Sequence, residues 1–280
     1  MEWLTSYKIP IGRWAKSGVD WLQAHGGGAF DAIALGLRAI IDGILFILQA
    51  PNPLIVIAVI VAAAYLIRRS LVFAASIAAG LLFIVNQGYW EATTETLALV
   101  ISSAIICMAI GIPIGIAAAH RPRLYAALRP ILDLMQTLPS FVYLIPAIVF
   151  FGIGMVPGLI ATAIFVVPAP IRFTHLGVSS TPKHLVEAAE AFGATRRQLL
   201  WKVELPYAAP QIMAGLTQTI MLSLSMVVIA ALVGADGLGV PVVRALNSVN
   251  IGMGFEAGLV IVLVAIILDR LLRANEKKAD

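Results

Sequence analysis

The sequence predicts an all-α polytopic membrane protein, and three observations carry that reading. Of its 280 residues, 60% are hydrophobic and 12% are charged, with a mean hydropathy of +0.96, far beyond what a soluble domain of this size needs to fill one core. Apolar runs approaching the roughly 20 residues that cross a bilayer recur along the chain. The basic residues gather on one side of those runs, as they do in membrane proteins with a fixed orientation.

The elements follow in order. The N-terminal stretch to Gly28 carries Trp3, Tyr7, Lys8, Arg13, Trp14, Lys16 and Trp21 but no apolar run or small-residue cleavage site, so no signal peptide is expected. In residues 30–49, Asp31, Arg38 and Asp42 fall at spacings of seven and four and share one helical face, while Ile33, Leu37, Ile40, Ile41, Ile44, Leu45 and Leu48 are apolar. Each ionisable group at central depth would cost about 2.5–3.5 kcal/mol. An amphipathic helix lying in the interface is therefore expected, with an eighth span as the alternative.

Runs at 53–67, 71–88, 93–119, 138–156, 157–177, 208–235 and 254–272 then give about seven spans. Arg68-Arg69 separates the first two, and the fourth and fifth abut at Met155-Val156-Pro157-Gly158, where proline and glycine suit a tight turn. The expected organisation is an N-terminal portion, 1–90, with the interfacial helix and two accessory spans, followed by a five-span core, 91–280. With the N-terminus outside, 14 of the 19 basic residues fall on one side, among them Arg68, Arg69, Arg121, Arg123, Arg129, Arg172, Lys183, Arg196, Arg197 and Lys202. That side is the cytoplasm, so the long loop 178–207 and the C-terminus are expected there. The net charge of +4 thus concerns orientation, and no nucleic-acid partner is implied. Cys107, the one cysteine, sits in an apolar run and reads as a small buried hydrophobe.

Loop 178–207 is where a soluble partner would be engaged. Thr181-Pro182 supplies an N-cap and a first-turn proline, Leu185, Ala188, Ala189 and Phe192 follow at helical spacing, and Gly193 is placed to end the helix in a left-handed conformation. Thr195 opens a second helix with Gln198 three residues on, as in a capping box, and Leu205-Pro206 is expected to stop it. Small Ala188 and Ala189 between Glu187 and Glu190 form a compact knob that a partner's groove would hold closely. Arg196, Arg197 and Lys202 would meet acidic groups or lipid phosphates. The blander alternative is a solvated amphipathic loop covering the bundle. A DNA-reading helix-turn-helix is disfavoured, because both short helices are tethered to the membrane.

Glu187-Ala188-Ala189, three residues, Gly193, nine residues, then Val203-Glu204-Leu205-Pro206 resembles the EAA loop of ABC importer permeases, EAA-x3-G-x9-I-x-LP, departing only in valine for isoleucine. The stretches Leu132 to Pro146 and Ile212 to Met221 resemble the glycine betaine, proline betaine and choline permeases, and the similarity runs from about residue 85 to 272. The resemblance implies the type I ABC importer transmembrane fold in a bacterial inner membrane. It implies coupling residues Glu187, Ala188, Ala189, Glu190 and Gly193, with Leu205 and Pro206 re-aiming the chain into the next span. It also implies two permease copies on two cytoplasmic ATPases that hold the ATP and Mg, an external solute-binding protein, and no cofactor on this chain. Gly234-Ala235-Asp236-Gly237-Leu238-Gly239 departs from the family's Gly-Ala-Gly-Gly-Leu-Gly, and no role is assigned to it.

A cation needs polar or aromatic groups along its path through hydrocarbon. Gln136, Thr137, Ser140 and Tyr143 lie at and after the helix break set by Pro139, and Gln218, Thr219, Ser223 and Ser225 punctuate the run 208–235. These either line a pathway or glue neighbouring helices, the commoner use, at about 0.6 kcal/mol per hydrogen bond. Gly111 and Gly115 form a small-xxx-small pair that reads as a close packing face. Aromatics, 8% of the chain, form no evident cage for a quaternary ammonium, so specificity is expected mainly in the separate binding protein. The chain stops eight residues after the last run, so no fused receptor domain is expected.

The expected function is the permease subunit of an ATP-driven importer for choline or glycine betaine. The alternatives are an importer for another small solute, such as an amino acid or alkyl sulfonate, and a passive osmotically gated channel. No Gly-Lys-Ser/Thr phosphate loop occurs, so ATP hydrolysis belongs to another subunit. His25, His120, His175 and His184 are scattered, and no nucleophile and base converge at one depth, so neither metal-binding nor catalytic residues are expected.

Overall fold

Helices form wherever the apolar runs stand, and proline, glycine and capping side chains decide where they stop. The computed structural model describes residues 10–273; Trp3, Tyr7, Lys8, Lys277 and Lys278 lie outside them. In chain order the helices are α1 (Ile11–Gln49), α2 (Pro53–Arg68), α3 (Leu71–Asn86), α4 (Trp90–His120), α5 (Pro122–Thr137), α6 (Ser140–Phe151) and α7 (Met155–Val166). There follow α8 (Pro168–Ser179), α9 (Lys183–Ala191), α10 (Arg196–Leu199), a π-helical turn (Leu200–Glu204), α11 (Leu205–Ala231), α12 (Gly239–Ser248) and α13 (Ile251–Arg273).

Local chemistry explains the bends. Asn52 caps α2 by accepting from the Leu54 N–H at 3.0 Å, with Pro53 in the first turn, and the chain turns 95° between α1 and α2. Leu138 is extended (ψ 135°) because it precedes Pro139, and the chain turns 93° between α5 and α6. Gly152 and Gly154, both at positive φ, reverse the chain between α6 and α7, and the Gly154 N–H donates to the Val233 carbonyl at 2.9 Å. This reversal falls ahead of the expected Met155–Gly158 turn. Pro157 instead occupies the first turn of α7, where a helix needs no donor.

Among the described residues, four stretches are each long and apolar enough to cross a membrane: α4, α7 with α8, α10 through α11, and α13. The two bent pairs raise the number to six, and α3 is shorter, at 16 residues. Of the seven expected runs, 138–156 divides most differently, because only the 12 residues of α6 run straight between the Pro139 break and Gly152. Hydropathy counts apolar residues but is blind to backbone direction.

Residues 30–49 form the second half of the 39-residue α1, one side of which rests on protein through Ala34, Leu37, Ile41, Ile44 and Leu45. Ile41 is buried against Ala98, Val156 and Leu159, Phe30 stacks on Phe150 at 4.4 Å, and the Gln49 amide donates to Thr94 Oγ1 at 2.9 Å. Arg38 and Asp42 line a cleft of about 200 Å³ beside Gly154 and Pro157. The main core is built by α2, α3, α4, α11 and α13 around Phe73, Leu99, Val100, Leu224, Val260 and Val264. Helices α4 and α8 pack closely, since a Cβ on Gly111 would lie 2.7 Å from Pro170 Cγ. That is the close face the glycine spacing predicts.

Candidate functional site

The loop leaving α8 builds an exposed knob. Helix α9 buries none of its own residues: Glu187, Ala188, Glu190 and Ala191 are exposed and Ala189 is half-buried. It starts one residue later than expected, with Pro182 at the N-cap and Thr181 Oγ1 buried without a hydrogen bond. The extended Pro182 (ψ 132°) presents its carbonyl to the Leu185 N–H, leaving Thr181 a position too far back to cap. At the other end Gly193 N–H donates to Glu190 O at 2.9 Å and Ala194 N–H to Ala189 O at 3.0 Å. With Gly193 at φ +77° this is a Schellman ending. The knob thus satisfies its own carbonyls, and Phe192 projects beside it at 93% exposure with Leu185 and Trp201 also exposed. An apolar group of this kind on a polar loop marks a surface meant to be covered.

Helix α10 opens with the expected capping box, Gln198 N–H donating to Thr195 Oγ1 and Thr195 N–H to Gln198 Oε1. The expected stop before Leu205-Pro206 does not occur. Leu205 is helical (φ −66°, ψ −43°), its N–H reaches back five residues to Leu200 O, and the chain runs as one helix from Arg196 to Ala231. The π-helical turn has already interrupted the regular hydrogen-bond ladder at this point, so the N–H that Pro206 lacks removes no α-helical bond. Leu205 and Pro206 therefore carry the helix of α10 on into α11 through a widened turn.

That turn is anchored. Glu204 is 7% exposed, and its carboxylate oxygens accept from His120 Nε2 at 2.9 and 3.1 Å. His120 ends α4, so the contact ties α4 to the base of α11. Further along the same helix pair, Ser223 Oγ and Ser103 Oγ hydrogen-bond each other at 3.1 Å. Toward the opposite end, Thr96 Oγ1 of α4 accepts from the Leu238 N–H at 2.8 Å, holding the turn that carries the exposed Asp236.

The polar residues singled out for a pathway separate into groups. Gln136 accepts from Arg172 Nη1 at 2.9 Å, and Arg172 also pairs with Asp133. With Tyr125 stacked on His175 at 3.6 Å, this latches α5 onto α8. Thr137 is exposed and Ser140 half-buried at the break, while Tyr143 is buried and donates to the Met135 carbonyl across it. Gln218 is exposed on α11, whereas Ser223 and Thr219 are fully buried and donate to carbonyls one turn back. Sequence reasoning missed the His120–Glu204 and Arg172 contacts. Their members stand 84 residues apart in the first case and 36 and 39 in the second, so no local spacing announces them.

Long apolar helices, one of them continuous with the short helix beside an exposed helical knob, fit the membrane permease subunit of a transporter. Its fold is that of type I ABC importer permeases: the solved MetNI methionine ABC transporter, in inward-facing conformations, matches with a TM-score of 0.58 at 26% identity over 70% of this chain and 97% of that chain. The chain belongs to the family of binding-protein-dependent transport system inner membrane components, whose family model matches residues 111–280. It is 48% identical to the glycine betaine transport system permease protein OpuAB of Bacillus subtilis, over 94% of this chain and 93% of that protein. The glycine betaine/carnitine transport permease protein GbuB of Listeria monocytogenes is 44% identical, over 97% of each. The glycine betaine/proline betaine transport system permease protein ProW of Escherichia coli is 43% identical, over 95% of this chain and 75% of that protein.

Proposed function

We propose that this chain is the permease subunit of an ATP-driven importer for a quaternary ammonium solute, glycine betaine or choline, in a bacterial inner membrane. The observation that carries the reading is the exposed, glycine-ended α9 knob, which a short turn at residues 192–195 joins to the helix running unbroken from Arg196 through α11. A push on the knob has only that short turn to cross before it reaches a helix that runs into the membrane. The names of the relatives, each for glycine betaine transport, support the substrate class.

In this reading two copies of the permease sit on two cytoplasmic ATPases, which hold the ATP and Mg, and an external binding protein delivers solute. Residues 91–280 form the transport core and 1–90 an accessory portion beside lipid. The loop 178–207 and the C-terminus face the cytoplasm. Glu187, Ala188, Ala189, Glu190 and Gly193 take up the ATPase stroke, and Leu205-Pro206 passes it on. Gln136, Thr137, Ser140 and Gln218 line the path, whose shape Tyr143 and Ser223 fix. The permease performs no covalent chemistry.

The test is ATP-dependent uptake of labelled choline and glycine betaine in vesicles holding this chain with its ATPase and binding protein, beside Gly193→Asp. Wild type is expected to accumulate one or both solutes, and the variant to insert normally but lose uptake. A variant that transports like wild type removes the coupling role from the knob. Flux that persists without ATP marks a channel. If neither solute moves while ATP is hydrolysed, the substrate class is wrong.

A further inference from the structure

Glu204 is buried, and its neighbourhood explains what holds it there. A carboxylate withdrawn from water is costly unless hydrogen-bonded, and here both oxygens face the His120 ring nitrogen at 2.9 and 3.1 Å. The position is equally specific. Glu204 closes the π-helical turn, directly before Leu205-Pro206, where the helix opened by α10 becomes the membrane helix α11. π-helical turns are weaker than α-helical ones and recur at functional sites. Left to itself, this turn would let the knob swing while α11 stayed behind.

The next bond between the α4 and α11 side chains, Ser103–Ser223, lies 19 residues along α11, about 28 Å at the helical rise. Without Glu204 and His120 that length of α11 would have no polar tie to α4. With them the pair is fastened at its base and again at depth. Helix α4 then continues to Thr96, which holds the Leu238 N–H of the turn at the far end.

We propose that the His120–Glu204 pair is a positioning clasp that makes α4 and α11 move as one when the α9 knob is displaced, carrying the stroke to the far-end turn through Thr96. The inference rests on the reading that α9 couples to an ATPase. Neither residue touches solute or nucleotide in this scheme; both act by fixing where α11 stands relative to α4.

The test uses the complete transporter in proteoliposomes and measures solute imported per ATP hydrolysed in His120→Ala, His120→Gln, Glu204→Gln and the His120→Ala/Glu204→Gln double variant. The amount of assembled complex is measured alongside. In His120→Ala the ratio is expected to fall about fivefold or more, the lower end of ordinary coupling energies, while hydrolysis itself continues. His120→Gln, which retains a side-chain donor, should recover most of the ratio. The double variant should be no worse than His120→Ala alone, since one contact is being removed twice.

An unchanged ratio in assembled His120→Ala overturns the clasp, as do independent effects that multiply in the double variant. Parallel loss of hydrolysis, import and assembled complex in both His120→Ala and the conservative Glu204→Gln also overturns it, by assigning the pair a purely structural role. Wild type that hydrolyses ATP without importing solute sinks the permease reading beneath it. Normal wild-type import with unchanged variants sinks the clasp alone.

Discussion

Gly115 has less room than a methyl group requires. A Cβ there would meet Thr174 Cβ at 2.6 Å and the Ile171 carbonyl oxygen at 2.8 Å, and a backbone carbonyl cannot rotate aside. Gly115→Val is expected to push α4 from α8 at a cost of about 1–3 kcal/mol, read as a lower melting temperature in detergent. Gly258→Ala, with nothing within 4 Å, serves as the unaffected control. Gly193 is the opposite case, since open space surrounds it and φ +77° alone demands glycine. Both glycines were legible in the sequence, one through small-xxx-small spacing and the other through its place after a helical stripe. Glu204 was not, because an acidic residue beside a membrane helix normally stays in water and its partner lies far along the chain.

Among the elements, α5 depends most on side-chain ties. Arg172 reaches Asp133 and Gln136, Tyr125 covers His175, and a 93° bend separates α5 from α6. Arg172→Ala is expected to raise amide hydrogen exchange across Pro122–Thr137 about two- to fivefold, within the range of a partly exposed ion pair. Exchange in α9 should not change; a rise there as well would mean that the two elements open together. The knob was legible as an element because its signals are local: the capping box and the terminal glycine depend on neighbours three or four residues away. The π-helical turn was not, because Leu205-Pro206 reads as a stop and only the hydrogen-bond ladder reveals continuity. The division of the 138–156 run escaped for a related reason, since apolar composition persists across the Pro139 bend.

For the whole molecule, the one cysteine is a convenience. Cys107 is fully buried, so a single added thiol reports on its own surroundings. Phe192→Cys places one on the most exposed part of the knob. A membrane-impermeant thiol reagent is expected to label it in inside-out vesicles and leave it untouched in right-side-out ones. The reverse pattern would invert the orientation drawn from the basic residues. Fold class was legible because hydropathy is a property of the entire chain. The seat of α1 was not, since an amphipathic stripe suits lipid and protein alike.

The π-helical turn also sets a phase. An α-helix turns about 100° and rises about 1.5 Å per residue, and a π turn holds one residue more than the regular ladder accommodates. Deleting any one residue of Leu200–Glu204 would leave an unbroken α-helix and every knob side chain in place. Because the wide turn has absorbed that extra residue, the knob would nearly keep its bearing, whereas a one-residue deletion in the regular helix beyond would swing it by about 100° around the axis of α11. The compass bearing between the surface that receives the stroke and the face that moves is therefore set by the residue count of the regular helix, and the wide turn is where that count can change without turning it.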